Sequence, residues 1–179
     1  AQAKYDVKPD ITCFGKVIGG GLPIGAIGGS RAVMENLTPI GKVFHAGTLA
    51  GNPLATAAGL AALNELTQDV YMELGARARA LSTLLRDACL SAGIVAQFPV
   101  VGTLVGAFFG PNTPTNFDEA KQTDEKMYAR LFHAMLAEGV ALAPGAYEAL
   151  FVGLGHTDSV MQQLAERTER AAHAAVRAQ

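Results

Sequence analysis

A chain of 179 residues, half of them apolar, suits one ordinary domain or two small ones and carries enough apolar side chains for a core; disorder and fibrous architectures are excluded. Charged residues make up only 17%, below the roughly 25% usual for soluble domains, so part of the surface is expected to be covered by another chain or by further sequence. The net charge of -2 gives no electrostatic hold on nucleic-acid phosphates or anionic lipids, which points to a small-molecule or protein partner.

The two cysteines, Cys13 and Cys89, match neither a CxxC pair nor a zinc-ligand spacing, and the four histidines show no HxxxH or HExxH spacing. A metal site is not expected. No basic-then-apolar leader opens the chain and no run of about 18 apolar residues spans a bilayer, so the sequence reads as cytoplasmic. It starts at Ala1, close to a strand-like segment, and reads as a piece of something longer.

In chain order, Ile11–Phe14 reads as a short strand between the turn signal Pro9-Asp10 and Gly15-Lys16, and Gly19 to Pro23 as a loop. Residues 15 to 51 hold ten of the twenty glycines, and between Asn36 and Asn64 the only charged side chain is Lys42. That composition suits a buried or bound surface. Asn52 then Pro53 predicts a helix start, running to about Leu66. Val70 to Ala92 has Leu74, Leu81, Leu84, Leu85 and Ala88 at helical spacing, with Gly93 as its stop. Ile94–Phe98 and Thr103–Phe109 read as strands separated by a break from Pro99 to Gly102, and Pro111 to Pro114 as a loop. Met127, Leu131, Phe132, Met135 and Leu136 predict a helix ending at Gly139. Val140–Ala143 and Leu150–Leu154 are expected as edge strands, and Thr157 as the cap of a last helix. The change in composition places a domain boundary within residues 67 to 75, giving domains 1–70 and 71–179, the second a small α/β layer.

Lys16 is the first candidate for chemistry, since it ends an apolar strand and faces three glycines. An amine that is desolvated there loses its proton more readily and can attack a carbonyl to form a Schiff base. On pattern alone, a lysine snorkelling to the surface is the commoner outcome. Neither Gly15-Lys16-Val17 nor Gly41-Lys42-Val43 completes a P-loop, and no GxGxxG register exists, so the glycines serve either a close backbone approach or tight turns with positive φ. Thr48 stands just ahead of the capped helix, whose free N–H groups favour an anion; it completes a phosphate cradle or bonds its own turn.

The run Asp10-Ile11-Thr12-Cys13-Phe14-Gly15-Lys16-Val17-Ile18-Gly19-Gly20-Gly21-Leu22-Pro23-Ile24-Gly25-Ala26, followed by Ala46-Gly47-Thr48-Leu49-Ala50-Gly51-Asn52-Pro53, resembles the class III, fold-type I pyridoxal-phosphate enzymes. Asn116 to Asp124, Gly139 to Phe151 and Gly155-His156-Thr157 resemble the aminomutase branch of that class. The resemblance implies an α/β fold, the end of a fold-type I large cofactor domain followed by a small α/β C-terminal domain with a short, mainly antiparallel sheet. It implies pyridoxal 5'-phosphate as cofactor, a five-carbon amino aldehyde as substrate, and a homodimer with a shared cofactor site.

By the same resemblance, Lys16 tethers the cofactor covalently and then moves protons between substrate carbons. Gly47 and Thr48 reach the phosphate of the neighbouring subunit's cofactor, and Glu148 stands at the active-site entrance, where a solvated loop carboxylate is the plain alternative. Ordinary aminotransferases of the 4-aminobutyrate or ornithine type bring an arginine to the substrate carboxylate, and none occurs between Arg130 and Arg167, which favours the aminomutase branch. A chain that only folds and self-associates through its glycine-rich face is the non-catalytic alternative. Gly145-Ala146-Tyr147 stands where the family tends to have a serine and a glutamine, and His45 where a glutamine is common. The family's pyridinium-pairing aspartate and cofactor-stacking aromatic are expected upstream of Ala1.

Overall fold

A computed structural model describes residues 1–178. The chain divides into two compact units, Ala1–Thr67 and a second that begins at Gln68. Each is described by itself.

The first unit opens with α1 (Gln2–Tyr5) and an antiparallel hairpin of β1 (Ile11–Phe14) and β2 (Ala26–Gly29), with Ile11 opposite Gly29 and Phe14 opposite Ala26. Between the strands, Lys16–Gly19 forms one 3-10 turn. A short α2 (Arg31–Met34) is capped by Ser30, and then α3 (Pro53–Glu65) follows. Asn52 caps α3 as its sequence predicts: its Oδ1 accepts the Ala55 N–H at 2.9 Å, with Pro53 in the first turn. The glycines have a structural purpose here. A Cβ on Gly59 would lie 2.2 Å from the Ile18 carbonyl oxygen, and one on Gly20 would lie 2.5 Å from that of Ala58, so the 3-10 turn rests backbone-to-backbone on α3. Both expected uses of glycine occur, since Gly20 and Gly21 also take positive φ.

In the second unit α4 (Gln68–Ser91) buries Ala78, Leu81, Leu85 and Ala88, one face at spacings of three and four. The backbone then forms β3 (Ala96–Gln97), β4 (Val100–Val101), β5 (Leu104–Val105) and β6 (Phe108–Phe109), followed by α5 (Phe117–Ala120) and α6 (Glu125–Ala137). After β7 (Leu150–Phe151), α7 (Asp158–Arg177) closes the unit, capped by Thr157. All strand pairs are antiparallel: β3 with β6, and β4, β5 and β7 in that order. Leu85, Leu131, Met135 and Val105 fill a core shared by α4, α6, α7 and the strands. Phe109 sits edge-on between Phe98 and Tyr128, with centroids at 6.3 and 5.9 Å.

The strands correct four sequence expectations. The break expected from Pro99 to Gly102 contains β4, because Gly102 at φ 63 lets the chain reverse in two residues and pair Val101 with Leu104. The strand expected over Thr103–Phe109 is cut at Gly106, whose N–H goes to the Pro99 carbonyl at 2.9 Å, so β5 and β6 join different sheets. No strand forms at Val140–Ala143. Gly139 takes φ 77, the Val140 N–H caps α6 on the Met135 carbonyl at 2.8 Å, and the Ala143 carbonyl accepts the Tyr128 phenol instead of a ladder bond. The strand expected over Leu150–Leu154 shortens to β7, since a turn closes from Gly153 to His156.

Candidate functional site

Lys16 follows β1 directly, at the head of the 3-10 turn, and it has φ 55. Few residues other than glycine enter this left-handed region, at a cost of roughly 1–2 kcal/mol, so the clamp of Gly20 and Gly59 on α3 holds a lysine where an unconstrained chain would not. Backbone outliers of this kind gather at functional sites. The side chain is exposed, the outcome that pattern alone favours over desolvation: the hairpin beside it has two strands, and Phe14 and Val17 are exposed as well. What the fold supplies is a fixed direction, not a dry pocket.

Thr48 lies in the turn from Gly47 to Asn52, immediately before α3. The turn is closed by the backbone bond from Ala50 N–H to the Gly47 carbonyl, and by the Asn52 side-chain amide donating to the Leu49 carbonyl at 2.9 Å. Asn52 therefore does the local work that Thr48 might have done, and among the described residues the Thr48 hydroxyl makes no hydrogen bond. Both sequence candidates ride on one helix, Thr48 ahead of its cap and the Lys16 turn on Ala58 and Gly59, roughly 10 Å further along the axis. A cavity of about 430 Å³ between the hairpin and this loop is lined by Cys13, Phe14, Ile24, His45, Gly47 and Leu49. Neither Lys16 nor Thr48 lines that cavity; an amine on a fixed backbone and a hydroxyl beside a helix N-terminus are, by their chemistry, groups that fit an aldehyde cofactor and a phosphate.

Glu148 belongs to the second unit, on the segment between α6 and β7. Its Oε1 accepts the Gly145 N–H at 3.2 Å, and its own N–H donates to the Gly145 carbonyl at 3.2 Å, so the carboxylate folds over its own turn. It borders a cavity of about 710 Å³ whose other lining residues include Leu85, Met135, His156 and Arg167. Arg167 is not free there, because its Nη1 donates to the Glu138 carbonyl at 2.5 Å, at the end of α6. Sequence reasoning assigned no role to two phenols near the segment that carries Glu148, Tyr128 of α6 and Tyr147 of the segment itself. Tyr128 donates to the Ala143 carbonyl at 2.5 Å, and burial first, then the Glu148 charge, pushes its pKa up. Tyr147 donates to Glu125, and that bond is the main cause of its own raised pKa. Position next to Glu148 was the available signal for Tyr147. Arg77, which donates to the His156 carbonyl while paired with Glu73, had none. Among the described residues, no cluster of three or more His, Cys, Asp or Glu could hold a metal ion.

The family model for "Aminotransferase class-III" matches residues 1–170. The chain belongs to the class-III aminotransferase family. It is 47% identical over 175 residues to a glutamate-1-semialdehyde 2,1-aminomutase of Desulfosudis oleivorans, a match spanning 97% of this chain and 40% of that protein. A protein of the same name from Desulforamulus reducens is also 47% identical, over 99% of this chain and 40% of its own length. Among solved structures, a β-phenylalanine aminotransferase from Variovorax paradoxus superposes with a TM-score of 0.81 at 29% identity, covering 94% of this chain and 39% of that one. The class-III chain described here thus spans about 40% of the length of the curated relatives it matches. Among its described residues no helix is long and apolar enough to cross a membrane.

Proposed function

We propose that this chain is part of a pyridoxal-phosphate-dependent glutamate-1-semialdehyde 2,1-aminomutase, a cytoplasmic homodimer producing 5-aminolevulinate for tetrapyrrole synthesis. The reading is supported by the 47% identity to proteins of that name. The observation that carries it is Lys16, a strand-end amine in the left-handed region on a turn clamped to α3.

When bound, pyridoxal phosphate supplies an electron sink for the carbons between which the amino group moves. Lys16 Nζ would hold the cofactor through its aldehyde, and as a free amine the same nitrogen would take and return protons at the neighbouring substrate carbons. The Thr48 hydroxyl and the Gly47 N–H would hold the phosphate of a cofactor bound by the partner subunit, with the α3 N-terminus adding its dipole. That role suits a low-charge surface in this stretch. Glu148 would handle the substrate at the active-site entrance.

The aminotransferase alternative calls for a guanidinium aimed at a substrate carboxylate, and Arg167, which borders the Glu148 cavity, is committed to the Glu138 carbonyl. The test is to incubate the chain with pyridoxal phosphate, reduce with borohydride and map the modified peptide. Label concentrated at Lys16, and lost in Lys16→Ala, is the expected result; label spread evenly over Lys4, Lys8, Lys42, Lys121 and Lys126 overturns the reading. Turnover by the 179-residue chain alone is expected to be feeble, because the tether and one phosphate contact are only part of a preorganised site.

A further inference from the structure

No helix or strand covers residues 138 to 149, so no backbone ladder fixes the segment that carries Glu148. Two side-chain bonds tie it to α6 in opposite directions. Tyr128, from the first turns of α6, reaches out to the Ala143 carbonyl, and Tyr147, from the segment, reaches back to Glu125 at the start of α6. The Tyr147 ring also meets Phe117 of α5 edge-on, with centroids 5.6 Å apart, and Lys121 Nζ lies 5.1 Å from the Phe117 ring while paired with Asp118 at 2.8 Å.

We propose that Tyr147 is the positioning residue of the Glu148 carboxylate, holding the Gly145–Glu148 turn against α6 through its phenol bond to Glu125 and its ring contact with Phe117. Tyr147 is the third residue of that turn, so its anchoring sets the direction in which Glu148 leaves the backbone. The direction matters because Glu148 folds inward: its Oε1 takes the Gly145 N–H, and a Cβ on Gly145 would stand 2.8 Å from that oxygen. Simple burial does not account for the arrangement, since Tyr147 is 42% and Phe117 63% exposed. The Glu148 charge, after burial, also raises the pKa of Tyr128, the second tie. The functional weight of this positioning rests on Glu148 handling the substrate.

The experiment compares the 179-residue chain with Tyr147→Phe, Tyr147→Ala, Glu125→Gln and Glu125→Leu, reading Gly145 amide exchange and the Glu148 carboxyl carbon shift by NMR beside Tm. Tyr147→Phe keeps the ring contact and loses the phenol bond, so Gly145 exchange should rise roughly fivefold, what one ordinary hydrogen bond is worth, and Tyr147→Ala should raise it further. Glu125→Gln still accepts from the phenol and should restore wild-type exchange, whereas Glu125→Leu should match Tyr147→Phe. Folded Tyr147→Ala protein with unchanged Gly145 exchange and Glu148 shift overturns the proposal, as does a fall in Tm common to all four variants with no selective change at those two residues. Borohydride mapping at Lys16 separates the two readings. Label failing to concentrate at Lys16 while Tyr147→Phe still frees Glu148 sinks the functional assignment and leaves the positioning intact.

Discussion

In the second unit Leu85, Leu131 and Met135 are 1%, 2% and 0% exposed, and helices and strands converge on them. In the first unit the buried apolar side chain among the described residues is Ala55, while Phe44, Ile40 and Leu54 stand 80%, 76% and 74% exposed. Similar apolar content thus yields two kinds of order. The second unit is held by side-chain burial; the first is held by backbone devices, namely a hairpin, helix caps and a glycine contact with no Cβ between. Apolar surface exposed at this density marks a face that other protein covers.

The contrast breaks most readily on core truncation. Leu131→Ala should cost about 3 kcal/mol, whereas Leu54→Ala should change stability by less than about 0.5 kcal/mol; urea denaturation of both variants measures the difference, and comparable losses would erase it. Next in size is Gly59→Ala, which sets a Cβ 2.2 Å from the Ile18 carbonyl, a backbone atom that no rotamer change relieves. A loss of about 1–3 kcal/mol is expected, together with loss of Lys16-selective borohydride labelling. Gly28→Ala, with nothing within 4 Å of the new Cβ, should keep the labelling.

Caps should matter about equally in the two regions. Asn52→Ala and Thr157→Ala each remove an acceptor from a first helical turn, at about 1 kcal/mol apiece. Helix content by circular dichroism on heating checks both, and an Asn52→Ala effect several times larger would mean that α3 is the first unit's main support.

The two cysteines report the contrast with least perturbation. Cys13 is exposed and should react with a maleimide at once, whereas Cys89 is buried, its pKa pushed up to about 12, and should react only on unfolding. The sign of the pH effect follows. Below the unfolded value of 9.0 both states keep the proton; above it the unfolded thiol ionises while the folded one does not, so stability falls as pH rises from 9.0 toward about 12. Flat stability of the second unit across that window would show Cys89 to be less enclosed than its burial indicates.

Legibility in the sequence followed the range of the interactions involved. Asn52, Thr157, Gly93 and Gly139 mark helix ends correctly because a cap or a left-handed glycine acts within four residues. Val140–Ala143 reads as a strand by its apolar run, yet the partner of its backbone is Tyr128, twelve or more positions away, which no local pattern encodes. Lys16 and Thr48 are visible through the motif around them. Pattern alone favours an exposed Lys16 without deciding it, because desolvation depends on what lies over a residue rather than beside it in the chain. Tyr147 and Arg77 escaped for the same reason, each acting across more than twenty residues.

By itself the sequence determined the four long helices, the Asn52 and Thr157 caps, the strand that precedes Lys16 and the motif that relates the chain to the class-III aminotransferases, all of them matters of spacing and local conformational preference. Only the tertiary structure decided that the glycines serve a contact between the 3-10 turn and α3, that Gly106 divides one apolar run between two sheets, and that Glu148 lies folded over Gly145 on a segment that two phenols tie to α6. These are long-range packing outcomes, set by which groups meet once the chain has folded back on itself.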